Sequence, residues 1–191
     1  DAIVGGGGLI LLPALFATFP NAVPATLLGT NKSASVWGTS FATWRFARRV
    51  TLPWRAMLPA AAAGFAGSWV GAWAVTMVSP ELLRKALPLV LIAILLYTLA
   101  RKDLGTHHQP RWGGRNEILA ASLIGLALGI YDGFFGPGTG SFLVFLLVRV
   151  LGYDFLHASA GAKLINVSTN VAAIALFASK GHVCWQLGLA M

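Results

Sequence analysis

Apolar residues fall into long runs, separated by short polar or glycine-rich stretches. The runs cover residues 9–19, 25–46, 57–78, 82–100, 118–135, 141–151 and 157–178, and another starts at 185. Within them, 57–80, 86–100 and 118–131 contain no charged residue. Crossing a bilayer as a helix takes about 20 mostly apolar residues, so the longer runs predict transmembrane helices. Segments 9–19 and 141–151 are shorter. The first is about 16 Å long if helical, roughly half a bilayer. Each short segment follows a glycine-rich break: Asp1-Ala2-Ile3-Val4-Gly5-Gly6-Gly7-Gly8 opens the chain, and Tyr131-Asp132-Gly133-Phe134-Phe135-Gly136-Pro137-Gly138-Thr139-Gly140 lies between two apolar runs. The run at 25–46 is unusually polar near its start, with Thr26, Thr30, Asn31, Lys32, Ser33 and Ser35. The run at 157–178 carries Lys163, Asn166, Ser168, Thr169 and Asn170. Small residues crowd 57–78 (Ala60, Gly64, Ala66, Gly67, Gly71, Ala72), which permits close helix packing.

Composition sharpens the class. The chain is 57% hydrophobic and 10% charged, where a soluble domain carries about 25% charged residues. Mean hydropathy is +0.73. These values predict an all-α polytopic membrane protein, with the lipid bilayer as its surroundings. The net charge of +8 does not indicate nucleic acid, because the basic residues sit in loops between apolar runs rather than on one solvated face. A lone cysteine, Cys184, excludes an internal disulfide and most thiolate metal sites. If every full or broken helix crosses once, the loops holding Arg45–Arg55, Arg101–Arg115 and Lys180 share one side with nine basic residues. Arg84, Lys85 and Arg149 lie on the other, and the positive-inside rule makes the first side cytoplasmic. Re-entrant short segments would weaken that parity.

The chain also repeats itself. An ungapped shift of 131 residues aligns Asp1 with Asp132, Gly5 with Gly136, Gly7 with Gly138, Lys32 with Lys163 and Trp54 with Trp185. Many transporters are built from such repeats, with the substrate site at the repeat interface near the bilayer midplane. The expected organisation is a first membrane repeat at 1–104, a cytoplasmic linker loop at 105–117 and a second repeat at 118–191. In this register the first copy lacks an apolar run ahead of its aspartate and the second stops early. The expectation is therefore a fragment of about six to seven helices from a protein of two four-helix repeats, each with a Gly-broken half-helix.

The chemistry of the breaks points to an anion. A helix that starts at membrane depth presents unpaired N–H groups and a partial positive charge. Glycine lets the backbone approach a ligand closely. The candidate substrate-binding residues are Gly6, Gly7 and Gly8 in the first break and Gly138, Thr139 and Gly140 in the second. Lys32 and Lys163 join them, because an intramembrane lysine costs at least ~2.5–3.5 kcal/mol on insertion scales and is functional by default. Structural pairing with Asp1 or Asp132, or snorkelling by Lys163, is the alternative. Thr30, Asn31, Ser33, Asn166 and Asn170 can donate hydrogen bonds to an oxyanion, or to neighbouring helices instead. Asp132 has two open roles: a proton carrier, or a structural cap of the break. His107 and His108 lack a near third ligand and predict no metal site. The glycine breaks are not nucleotide loops, since no Gly-Lys-Ser/Thr follows. No cofactor is implied.

Four stretches carry a family resemblance: 1–8, Gly29-Thr30-Asn31-Lys32, 131–140, and Ala162-Lys163-Leu164-Ile165-Asn166 with Asn170. Together they resemble the sulfite exporter TauE/SafE family, and the string from Tyr131 to Phe142 resembles a bacterial subgroup of probable membrane transporters. The resemblance extends over essentially the whole chain. It implies a multi-pass permease of the bacterial inner membrane for a small anion, sulfite and organosulfur compounds being the family's named substrates. A passive anion channel of the same architecture is the alternative. An intramembrane enzyme is a third reading, which lacks a His-Glu-x-x-His pair, a Gly-x-Ser-x-Gly elbow or a second carboxylate beside Asp132. The oligomeric state is not legible.

Overall fold

The structure, a computed structural model, describes residues 7–100, 109 and 111–190. Asp1, Gly5, Gly6, His107 and His108 lie outside the described residues. The described residues form eight α-helices and one π-helical turn, with no strand: α1 (Gly7–Thr18), α2 (Pro24–Ala47), α3 (Trp54–Val75), α4 (Pro80–Ala100), α5 (Gly114–Phe134), α6 (Thr139–Leu146) running into the π turn Leu147–Leu151, α7 (Phe155–Ser179) and α8 (Trp185–Ala190). Each expected apolar run is a helix. Three of them, α3, α5 and α7, are long and apolar enough to cross a membrane. At 24 residues α2 also has the length, but its first half is lined with buried polar side chains. The protein is a helical membrane protein. Its outward aromatic and aliphatic side chains, such as Trp37, Phe41, Trp69, Leu123 and Ile130, are exposed and supply the surface a bilayer covers.

Helix starts follow local chemistry. Pro24 opens α2, where its missing N–H costs nothing. Asp154 caps α7, its Oδ1 accepting from the His157 N–H at 2.8 Å and its Oδ2 facing His157 Nδ1 at 2.7 Å. Between the π turn and α7, Tyr153 donates to Glu117 at the start of α5. Burial first, then that hydrogen bond, pushes the Tyr153 phenol well above its ordinary range.

The tightest packing is between α3 and α5. A Cβ built on Gly125, Gly129 or Gly133 of α5 would lie 2.1–2.4 Å from the carbonyl oxygens of Ala60, Gly64 or Ser68 of α3. Gly67 and Gly71 make the reciprocal approach to Leu126 and Ile130. Small residues at four-residue spacing on both helices thus bring the two backbones into contact, as in close-packed membrane helices. The pairings rise together along both chains, so α3 and α5 run parallel. Helix α7 packs on α3 in the same direction, through Ser168 Oγ to the Ala61 carbonyl (2.8 Å) and Ser68 Oγ to the Thr169 carbonyl (2.7 Å).

The path of α6 corrects the parity assumption. Arg111 N–H donates to the Leu151 carbonyl and Trp112 Nε1 to the Val150 carbonyl, each at 2.9 Å. The end of α6 and its π turn therefore returns to the side from which α5 started, as a re-entrant hairpin. Arg149 consequently shares a side with Arg111 and Arg115. Lys180, whose Nζ donates to Thr76 beyond the end of α3, lies on the opposite side with Arg84 and Lys85. Among the described residues the bias survives the correction: Arg45, Arg48, Arg49, Arg55, Arg111, Arg115 and Arg149 share one side, against those three lysines and arginines on the other.

Candidate anion-binding site

The site forms where two short helices begin. The α5–α6 hairpin turns at 135–138, with Gly136 at φ +90° and Gly138, the N-cap of α6, at φ +78°. Both conformations are left-handed and favour glycine. At Gly136 a Cβ would also crowd the end of Lys32, at 3.0 Å from Nζ. Tyr131 steadies the turn by donating to the Pro137 carbonyl at 2.6 Å, and Thr139 Oγ1 donates to the Gly136 carbonyl at 2.8 Å. Gly71 of α3 abuts the end of α5, four residues before α3 ends. The tip therefore stops about 6 Å short of the far side. From the opposite direction α1 begins at the tip, where a Cβ on Gly8 would lie 4.0 Å from Pro137 Cα. Helix α1 then rises toward the start of α2, so the two short helices start at one point and diverge.

Helix α2 supplies the charge. Lys32, eight residues into α2, lies about 12 Å from that helix end. Its Nζ sits 2.5 Å from Asp132 Oδ2, and both side chains are at most 5% exposed. Asp132 Oδ2 has no further hydrogen-bond partner among the described residues, so this contact is an ion pair held by Lys32. Gly138 has no side-chain cap, and the Asp132 carboxylate is committed to Lys32 rather than to capping α6.

A cavity of about 20 Å³ lies at the tips, room for roughly one water. Five helices and the turn line it: Gly8 of α1; Asn31, Lys32 and Ser35 of α2; Asp132 of α5; Gly136, Gly138 and Gly140 of the turn and α6; Asn166 and Asn170 of α7. Asn170 Nδ2 donates to Asn166 Oδ1 at 3.3 Å and reaches Thr39 Oγ1 at 3.5 Å. Asn31 Oδ1 is buried and has no partner among the described residues.

Of the sequence-predicted residues, Gly8, Asn31, Lys32, Asp132, Gly138, Gly140, Asn166 and Asn170 thus meet at one cavity. Others lie elsewhere. Thr30 Oγ1 donates to the Thr26 carbonyl and accepts from the Cys184 N–H. Ser33 donates to the Thr30 carbonyl and abuts Gly188 of α8. Thr139 is spent on the turn itself. Gly7 is the first residue of α1, and Lys163 is buried on α7 one turn before Asn166 but is not among the residues that line the cavity. Ser35 and Gly136 were not anticipated. The signal for Ser35 was its spacing: four residues after Asn31 puts both on one helical face, as with Asn166 and Asn170.

Helix starts follow the same shift as the sequence match. A shift of 131 residues carries the start of α2 onto that of α7, and the start of α3 onto that of α8. Yet α2 and α7 pack antiparallel: Thr39 meets Asn170 at their middle, while Gly29 abuts Phe177 and Thr26 Oγ1 lies 3.3 Å from His182 Nδ1.

The family model "Sulfite exporter TauE/SafE" matches residues 1–191. The chain is 39% identical, over its whole length, to "Probable membrane transporter protein ORF9" of Sinorhizobium sp, covering 72% of that protein. It is 38% identical to "Probable membrane transporter protein" of Haemophilus influenzae (73% covered) and 39% identical to "Probable membrane transporter protein YfcA" of Escherichia coli K12 (70% covered). No solved structure matches. The chain belongs to the sulfite exporter TauE/SafE family.

Proposed function

We propose that this protein is a secondary transporter of a small anion in the bacterial inner membrane, built as two inverted repeats (1–104 and 118–191, joined by 105–117), with the substrate held where the tip of the α5–α6 hairpin meets the start of α1. The observation that carries the reading is the convergence of Gly8, Gly138 and Lys32 on one cavity. Each helix start contributes roughly half a positive charge, undiluted by water at that depth. Non-helical backbone within a membrane is tolerated where it lines a cavity, which is where the turn at 135–138 sits. The antiparallel packing of α2 and α7, elements in one repeat register, supports inverted repeats.

The cavity size favours a carrier over a channel. Room for about one water cannot hold a multi-atom oxyanion, so the tips must part to admit one. The Lys32–Asp132 pair is the contact such an anion would replace, its oxygens taking the place of the carboxylate at Nζ. The substrate named for the family, sulfite, fits this chemistry, and so do organosulfonates. Purified full-length protein in liposomes should accumulate sulfite against its gradient when a proton gradient is imposed. Downhill flux alone, at rates far above carrier turnover, would replace the carrier by a channel.

A further inference from the structure

A second cavity, of about 500 Å³, opens between the starts of α3 and α5 on the arginine-rich side of the molecule. Trp54 and Arg55 line it from α3, and Arg115, Glu117 and Ile118 from α5. Both arginines are exposed, and neither guanidinium makes an ion pair or hydrogen bond with a described residue. The carboxylate in the cavity wall is engaged elsewhere, since Tyr153 donates to Glu117. Two cations thus face one cavity, and no described carboxylate neutralises either of them.

Below the arginines the surface is apolar. Trp54, Leu58 and Phe65 follow one another at helical spacing on one face of α3, and Arg115, Leu119 and Leu123 do so on α5. All five of these apolar side chains are exposed. Because α3 and α5 start together and run parallel, an exposed apolar strip descends from the cavity along both helices. Trp54 at the head of that strip suits the depth at which lipid headgroups lie. A soluble anion would use the arginines and leave the strip bare. An apolar partner helix would cover the strip and leave the arginines without a counter-charge.

From this juxtaposition we infer that the cavity seats the headgroup of an anionic glycerophospholipid, its phosphate held between Arg55 and Arg115 and its acyl chains lying along the exposed faces of α3 and α5. The planar guanidinium pairs with phosphate through two parallel N–H contacts, and basic pockets between membrane helices bind such headgroups. This site lies at the opposite end of the α3–α5 seam from the hairpin tip, and it does not depend on which anion the protein carries.

The test is native mass spectrometry of full-length protein, delipidated in detergent and offered equal amounts of phosphatidylglycerol and phosphatidylcholine with the same acyl chains. Phosphatidylglycerol should be retained over phosphatidylcholine by at least about tenfold, the effect of two arginine–phosphate contacts at a membrane surface. Arg55→Gln with Arg115→Gln should bring that ratio close to one. Arg45→Gln with Arg49→Gln removes the same charge from the same side at exposed positions outside the cavity, and should keep the preference. Absence of preference in the unaltered protein, an undiminished preference in the cavity variant, or an equal loss in both variants would overturn the inference. Displacement of the retained lipid by excess inorganic phosphate would also overturn it, marking a site for a soluble anion instead.

Discussion

Replacing Lys32 by methionine should reduce anion flux by roughly a hundredfold, the effect of removing one partner of a desolvated charge contact. The same substitution should destabilise the protein, because Asp132 would then be buried without a counter-charge at the tip of the α5–α6 hairpin. Orphaning a buried charge costs about 3–5 kcal/mol. The two effects separate in a double variant. Lys32→Met with Asp132→Leu replaces the pair by apolar groups, an exchange that is often neutral or stabilising. It should restore the unfolding temperature in detergent and leave transport abolished. Recovery of flux in the double variant would mean that Lys32 serves only to neutralise Asp132, and the anion site would have to lie elsewhere.

The largest effect on folding is expected at the α3–α5 seam. A Cβ on Gly129 would stand 2.4 Å from the Gly64 carbonyl oxygen and 2.9 Å from its Cα, so the obstruction is backbone and cannot rotate away. Gly129→Leu must push the helices apart along the seam that continues through Gly133 to the hairpin tip. Overpacking typically costs about 1–3 kcal/mol, and more where no rotamer relieves it. The expected result is loss of monodisperse protein on gel filtration after extraction. Gly113→Ala, where a Cβ would meet nothing within 4 Å, is the control and should behave as the parent chain does. A stable, monodisperse Gly129→Leu variant would contradict the close pairing.

Much of this architecture was legible because membrane insertion writes itself into sequence. Each apolar run became a helix, the second glycine break became a turn, and the shift of 131 residues that aligned Lys32 with Lys163 also aligned the starts of α2 and α7. Helix direction was not legible. A short apolar segment of about 16 Å reads the same whether it crosses or returns, and only contacts such as Arg111 N–H to the Leu151 carbonyl show that α6 returns. The site was half legible. Asn31, Ser33 and Ser35 are equally polar, but the helical rotation of about 100° per residue turns Asn31 and Ser35 to the cavity and Ser33 to α8. Which aspartate Lys32 meets is likewise a tertiary fact, since Asp132 lies 100 residues away and arrives only because the hairpin tip comes to α2.

These points converge on one claim, that an anion binds between the starts of α1 and α6 beside Lys32. The most direct measurement is a crystal structure of the full-length protein with hydrogen selenite, located by the anomalous signal of selenium. The expected result is a peak among Gly8, Lys32 and Gly138, with the Lys32–Asp132 contact lengthened. A peak elsewhere in the membrane region, with the cavity at the two tips unoccupied, would contradict it.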